Sequence, residues 1–251
     1  MPPTAAPTPS TGSPPRRSRA LVIDGHAAVR STFAHALATI DCDAATARDG
    51  QEALALVRET LPTHATGDDG PRRFELVIMD LVLPRTDGAT LLGQLRKDLP
   101  VMPPTVVLGS LQDPAAIEAL LELGAADYVP KPFDLDVVLY KASTLLGEPA
   151  QAPFHWAPLG EGPPVHLAGL AASATAVSET GLVVALPTAR VHRRALVAID
   201  CASLEAPLGL RRCRGRIVNV TQIGGQDVVE VAFVALSEAE THRLRRFTVA
   251  H

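Results

Sequence analysis

Apolar and polar positions fall into alternating blocks along the first 146 residues. Short, continuous apolar runs are the kind that parallel sheets bury on both faces. Leu21-Val22-Ile23 runs into Asp24, the run from Glu75 runs into Asp80, and Thr105 to Leu108 runs into Gly109. Between these runs the apolar spacing is helical. Val29, Phe33, Ala36, Leu37 and Ile40 share one face of a helix predicted over 27–40. Further helices are predicted over about 51–60, 89–99, 113–124 and 134–146. Asp113-Pro114 gives the fourth an N-cap acid and a proline at its first position, and Gly124 suits its end. Residues 43–47 and 127–129 supply two more short strands. Five strands alternating with five helices predict an α/β, doubly wound, five-stranded parallel sheet over 19–147. A Gly/Asp/Pro-rich loop at about 62–73 reads as a surface insertion.

The pattern then changes. Residues 147–164 hold five prolines and three glycines with no period, which predicts a linker over 148–163. Strand-like runs follow at 164–170, 173–177, 182–186, 194–200, 211–220 and 226–235, with Gly224-Gly225 as a turn signal. Short strands at that spacing predict a small all-β barrel over 164–251. One helix closes it, opened by the capping box Ser237-Glu-Ala-Glu240, with Leu244 and Phe247 on one face. Residues 1–18, rich in Pro, Thr and Ser and then basic, predict a disordered tail.

Composition narrows the function classes. The net charge of −4 gives no bulk attraction to nucleic acid. The charge is uneven, with 13 basic and 19 acidic groups over 1–150 against 10 and 8 over 151–251. The basic run from Arg211 to Arg216 has no recognition-helix pattern around it, so no nucleic-acid partner is expected. No apolar run reaches the roughly 18–20 residues of a membrane span, and the N-terminal stretch lacks the apolar core of a secretory signal. Cys42, Cys201 and Cys213 have no ligand-like spacing, which fits a reducing compartment. A cytoplasmic location is the expectation. His155, His166, His192, His242 and His251 form no ligand-spaced set, and Trp156 is expected to pack the linker onto a domain. No Ser/His/Asp arrangement or phosphate-cradling glycine loop argues for turnover, so the chain is not expected to be an enzyme.

The candidate chemistry lies at strand ends, where open α/β sheets bind ligands. Leu21-Val-Ile-Asp24, Val77-Ile-Met-Asp80-Leu-Val-Leu-Pro84-Arg-Thr-Asp87-Gly88, Leu123-Gly-Ala-Ala-Asp127-Tyr128 and Lys131-Pro132-Phe133 occur in that order. Together they resemble the receiver domain of bacterial response regulators. The resemblance implies Asp80 as phosphoryl acceptor, Asp24 and Asp80 as an acid pocket for Mg2+, Lys131 as a phosphoryl contact before a cis proline, and Tyr128 as a switch aromatic. Phosphoryl transfer needs an in-line acceptor oxygen and positive charge around the equatorial oxygens. A magnesium ion and a lysine supply that charge. Two positions depart from the family. Its first loop has two adjacent acids, but here Asp24 precedes Gly25, and the missing acid is the direct metal ligand. His26 is a poor replacement for a hard cation. Its fourth strand carries Thr or Ser where this chain has Gly109. Ser110 is the candidate phosphoryl contact instead, but one step along a strand reverses side-chain direction. Weak Mg2+ binding and no required cofactor are expected.

Residues 164–251 resemble a PilZ domain, through Ala176-Val-Ser178-Glu-Thr-Gly181-Leu-Val-Val and the run from Val229 to Glu238. That family binds cyclic di-GMP through Arg-x-x-x-Arg ahead of the barrel and Asp/Asn-x-Ser-x-x-Gly. Ser178 and Gly181 remain of the second motif, Ala176 replaces the acid or amide, and no Arg lies between Lys141 and Arg190. Cyclic di-GMP is therefore not expected to bind. Asp80 has two readings, phosphorylation by a histidine kinase or retention in a domain that only docks partners. The expectation is the second: a non-enzymatic bacterial signalling protein, an atypical response regulator acting through protein–protein contacts in motility or polarity control. The alternative is a phosphorelay regulator phosphorylated on Asp80 with a cyclic di-GMP-binding output.

Overall fold

A computed structural model describes residues 17–61, 72–147, 155–160, 162–187 and 191–250. Strands β1 (Ser18–Ile23), β2 (Cys42–Ala47), β3 (Leu76–Asp80), β4 (Thr105–Gly109) and β5 (Asp127–Pro130) form one parallel sheet, in the order β2-β1-β3-β4-β5. β3, β4 and β5 are buried at every position. Helices α1 (Ala27–Ala38), α2 (Gly50–Glu59), α3 (Gly88–Asp98), α4 (Pro114–Leu123) and α5 (Leu135–Leu146) cover both faces. Successive side chains of a strand point to opposite faces, and the core divides accordingly. Val22, Ile78, Val106 and Leu108 pack with Phe33 and Leu37 of α1 and Val138 of α5. Leu21, Ile23, Val77 and Met79 pack with α2, α3 and α4 through Leu54, Leu92 and Ile117.

Aspartates open four of the five helices. Asp49, Asp87, Asp113 and Asp134 each accept a backbone N–H from the first turn, which satisfies donors the helix itself cannot. Gly124 ends α4 at φ 114°, a left-handed conformation that glycine adopts without penalty. The sheet begins earlier than its apolar run, at Ser18, because Ser18 N–H bonds Asp41 O at 3.0 Å. Arg17 also pairs with Asp43 at 3.3 Å. The predicted tail therefore stops short of these two residues, and residues 1–16 lie outside those described, as do 62–71 of the expected insertion.

The second unit is antiparallel. β7 (Pro164–Leu167), β8 (Leu170–Val177), β9 (Gly181–Leu186), β10 (Leu196–Asp200), β11 (Arg212–Ile223) and β12 (Gln226–Val234) run β8-β7-β10-β11-β12-β9, and β9 pairs back to β8. The result is a closed six-stranded barrel around Val165, Leu167, Leu182, Val184, Ile199, Ile217, Val231 and Phe233. The run predicted as one strand over 164–170 is two strands. Ala168 and Gly169 both take positive φ, 51° and 82°, the conformation of a two-residue hairpin turn. An apolar Ala-Gly pair between Leu167 and Leu170 hides that turn from the hydrophobic pattern. Part of the predicted linker is also a strand: β6 (Ala157–Pro158) pairs with β8. Trp156 packs beside Gly181, where an added Cβ would meet its ring at 3.3 Å. A short helix α6 (Glu205–Leu208), which the pattern did not predict, joins β10 to β11. α7 (Glu238–Ala250) closes the chain, with Ser237 N–H donating to Glu240 at 2.8 Å in the expected capping box. No helix among the described residues is long and apolar enough to cross a membrane.

The two units meet along β5, α5 and β12. Lys141 of α5 donates to Asp127 Oδ2 and to the Phe233 carbonyl, both at 2.7 Å. Asp127 Oδ1 accepts the backbone N–H groups of Tyr128 and Ala235, both at 2.8 Å. Both charged residues are buried. Tyr140 donates to Glu230 at 3.0 Å. Burial, reinforced by that carboxylate, pushes its phenol well above the usual range, so it stays a donor. Removing one member of a buried pair strands the other charge. Lys141→Ala should therefore lower unfolding free energy by about 3–5 kcal/mol, read from urea denaturation. The double variant Asp127→Asn/Lys141→Met should lose less than the sum of its single changes, because the two residues form one network. Additive losses would contradict the pairing.

Candidate acid pocket at the strand ends

The strand order reverses beside β1 and β3, which opens a crevice at their carboxyl ends. β3 ends in Asp80 and β1 runs directly into Asp24, so both acids fall there, almost fully buried. The Asp80 carboxylate is held from two sides. Lys131 Nζ donates to Oδ2 at 2.7 Å, and Val82 N–H donates to Oδ1 at 3.1 Å. Lys131 directly follows β5, is anchored by its own N–H to Gly109 O at 2.6 Å, and precedes Pro132 through a cis bond. Asp24 Oδ1 accepts from His26 N–H at 2.7 Å and lies 3.2 Å from His26 Nδ1. Asp24 Oδ2 is buried without a hydrogen-bond partner. His26 itself is exposed.

The two positions that depart from the receiver pattern are both crowded. A Cβ on Gly25 would lie 3.1 Å from the Pro84 ring, so the proline packs where a second acid would start. A Cβ on Gly109 would lie 3.1 Å from Leu81 Cβ and 3.2 Å from Tyr128 Cε2. The Tyr128 ring is fully buried, and its hydroxyl accepts Leu111 N–H at 2.6 Å. Burial raises its phenol above the ordinary value. Ser110 is exposed past the end of β4 and takes no part in the hydrogen bonds around Asp80.

Magnesium keeps strict octahedral geometry and is usually held by carboxylates together with waters. No cluster of three His, Cys, Asp or Glu suited to a metal occurs among the described residues. Lys131 and Val82 N–H engage the two oxygens of Asp80, Asp24 Oδ2 is buried without a hydrogen-bond partner, and with Gly25 beside it the pocket offers two carboxylates. These residues do not fit a tightly held divalent ion.

Ser178 and Gly181 belong to the β8–β9 turn. Ser178 is buried, its N–H donates to Gly181 O at 2.9 Å, and its Oγ accepts Thr180 N–H at 3.2 Å. Gly181 is required there, because a Cβ would lie 2.6 Å from Val231 O. The basic run is engaged in part, with Arg212 largely exposed and Arg214 and Arg216 turned to the first unit. Arg212 lies 3.9 Å from Asp200, Arg214 pairs with Glu118 of α4, and Arg216 donates to Ala126 O at 3.2 Å. Arg190 lies outside the described residues. Sequence reasoning did not single out Lys141. Its one signal was position: a lysine on the apolar face of α5, between the buried Val138 and Ala142.

Residues 20–142 match the family model of the response regulator receiver domain, and they form such a domain. A probable transcriptional regulator, ycf27, of Guillardia theta is 35% identical over 117 residues, covering 47% of this chain and 41% of that protein. The response regulator MprA of Mycolicibacterium vanbaalenii is 34% identical over 131 residues, 51% of this chain and 50% of that protein. The chain thus spans about half the length of these relatives or less. Among solved structures, the receiver domain of Francisella response regulator 1452 superposes with a TM-score of 0.44 at 25% identity. It covers 52% of this chain and 97% of that one.

Two substitutions probe the crowded positions. Gly109→Thr should destabilise the fold by about 1–3 kcal/mol, the usual range for overpacking a core, measured by thermal unfolding. Gly25→Asp combined with Pro84→Ala should tighten Mg2+ binding about tenfold, a change of about 1.4 kcal/mol, by calorimetric titration. An unaltered affinity would show that the missing acid does not limit the site.

Proposed function

We propose that this protein is a signalling protein whose receiver domain works as a fixed docking platform and not as a phosphate-driven switch. The observation that carries this reading is the packing at Gly109. A hydroxyl that would bond a phosphoryl oxygen is absent, and Leu81 and Tyr128 close around the space. Tyr128 is already fully inside and bonded to Leu111. The pocket around Asp80 also holds one acid fewer than the receiver pattern it resembles, since Gly25 stands where that pattern has a second acid. Tyr128 N–H shares Asp127 with Ala235 of the barrel, so the aromatic and the second unit are joined through one carboxylate.

In this reading the protein is non-enzymatic and bacterial, works in the cytoplasm, and exchanges information through protein–protein contacts in motility or polarity control. The barrel resembles PilZ in its residues, but Ser178 and Gly181 serve a turn, which supports no cyclic di-GMP binding. Two of the relatives are named as a transcriptional regulator and a response regulator. The engagement of Arg214 and Arg216 with the first unit argues against DNA contact through those two arginines.

A second reading has its own support. Asp80 and Lys131 remain paired at 2.7 Å, and the free Asp24 oxygen faces no protein partner. Under it a histidine kinase phosphorylates Asp80 and the barrel is the output. Acetyl phosphate or beryllofluoride with Mg2+ separates the two. The docking reading expects no Asp80 adduct by intact-mass analysis and no chemical-shift change at Tyr128. A stoichiometric Asp80 adduct would overturn it in favour of the phosphorelay.

A further inference from the structure

A cavity of about 310 Å³ opens between α4 and the barrel, lined by Ile117 and Glu118 on one side and by Cys213 and Glu240 on the other. Cys213 lies on β11, and its Sγ is 3.8 Å from Sγ of Cys201, just past the end of β10. The register explains the meeting. Ile199 pairs with Cys213, and Cys201, two residues beyond Ile199, points to the same face of the sheet. Cys201 N–H bonds Arg211 O at 2.8 Å, so the ladder holds the two backbones together one step past the strand. Cys201 is fully buried, while Cys213 is partly exposed at the cavity wall.

We propose that Cys201 and Cys213 are an oxidisable thiol pair that closes to an intramolecular disulfide when a peroxide reaches this cavity. One thiol gives up its proton and attacks a peroxide oxygen. The O–O bond breaks, the leaving hydroxide takes up that proton as water, and the cysteine becomes a sulfenic acid. The second thiol attacks that sulfur, and hydroxide leaves with the second proton as another water. Two thiols and one hydrogen peroxide give one disulfide and two waters. The sulfurs close from 3.8 Å to about 2.05 Å. Cys213 lines the cavity and meets the peroxide first, and Cys201, fully buried against it, is the thiol that closes the bond. Cys42 has no such neighbour and is pushed up to about 11, chiefly by burial. The pair lies apart from the acid pocket, so its chemistry is independent of the reading of Asp80.

The test uses the unaltered full chain, reduced, desalted and treated with equimolar hydrogen peroxide. Thiols are then alkylated under denaturing conditions and mapped by mass spectrometry. Two of the three cysteines should be lost to alkylation, a peptide pair should link 201 to 213 within one molecule, and dithiothreitol should restore both. Cys42 should remain alkylated throughout, and Cys201→Ser and Cys213→Ser should each abolish the linked peptide. Three intact thiols, a linkage between two molecules, a bond involving Cys42, or over-oxidation of one cysteine while the other stays free would each overturn the proposal.

Discussion

The buried carboxylate of Asp127 organises the molecule. It stands at the start of β5, and its two oxygens take up Tyr128 N–H, Ala235 N–H and the Lys141 ammonium. A charged group survives burial only when it is paired and hydrogen-bonded. Here the partners come from the sheet, from α5 and from the chain just past β12. Lys141 adds the Phe233 carbonyl of the barrel to the same network. One ion pair therefore fixes the spacing of three elements, and neither unit can withdraw without exposing a charge that the other stabilises. Arg214 with Glu118 and Arg216 with Ala126 extend the contact along β11 toward α4 and the start of β5.

The acid pocket follows a related logic of paired changes. Each position that lacks a familiar polar side chain has a neighbour packed against it. Pro84 lies on Gly25, and Leu81 and Tyr128 lie on Gly109. Protein interiors are close-packed, so a lost side chain is followed by a shift in its neighbours or by a void. The close approaches here indicate the first outcome. The pocket keeps the Asp80–Lys131 pair, and a side chain at either glycine would need its neighbours to give by a few tenths of an ångström.

The parallel sheet was legible because its central strands carry continuous apolar runs, with buried polar residues only at their ends (Asp80, Thr105 and Asp127), and because Asp113 and Asp134 mark helix starts by chemistry as well as by pattern. The segments carrying Asp24, Asp80, Tyr128 and Lys131 were legible by their order along the chain. Their surroundings were not. Nothing in one dimension indicates that Pro84 packs on Gly25, or that Lys141 reaches Asp127 fourteen positions earlier and Phe233 ninety-two positions later. In the barrel, the Ala168-Gly169 turn was lost inside an apolar stretch, and β6 was hidden by prolines. The contact of Cys201 with Cys213 was equally invisible, since it depends on the β10–β11 register and not on spacing.

The return of β9 to β8 has a further consequence. Among the described residues every strand of the ring has a neighbour on both sides, so unpaired backbone is confined to stretches where one strand outruns its neighbour, chiefly β11 past Ile217 on the side of β10. Strand addition, a common way for sheets to capture extended peptides, is limited to those stretches. Elsewhere a partner must read side chains on the outer wall, the end loops or α7, and self-templated fibril growth from the rim is correspondingly discouraged.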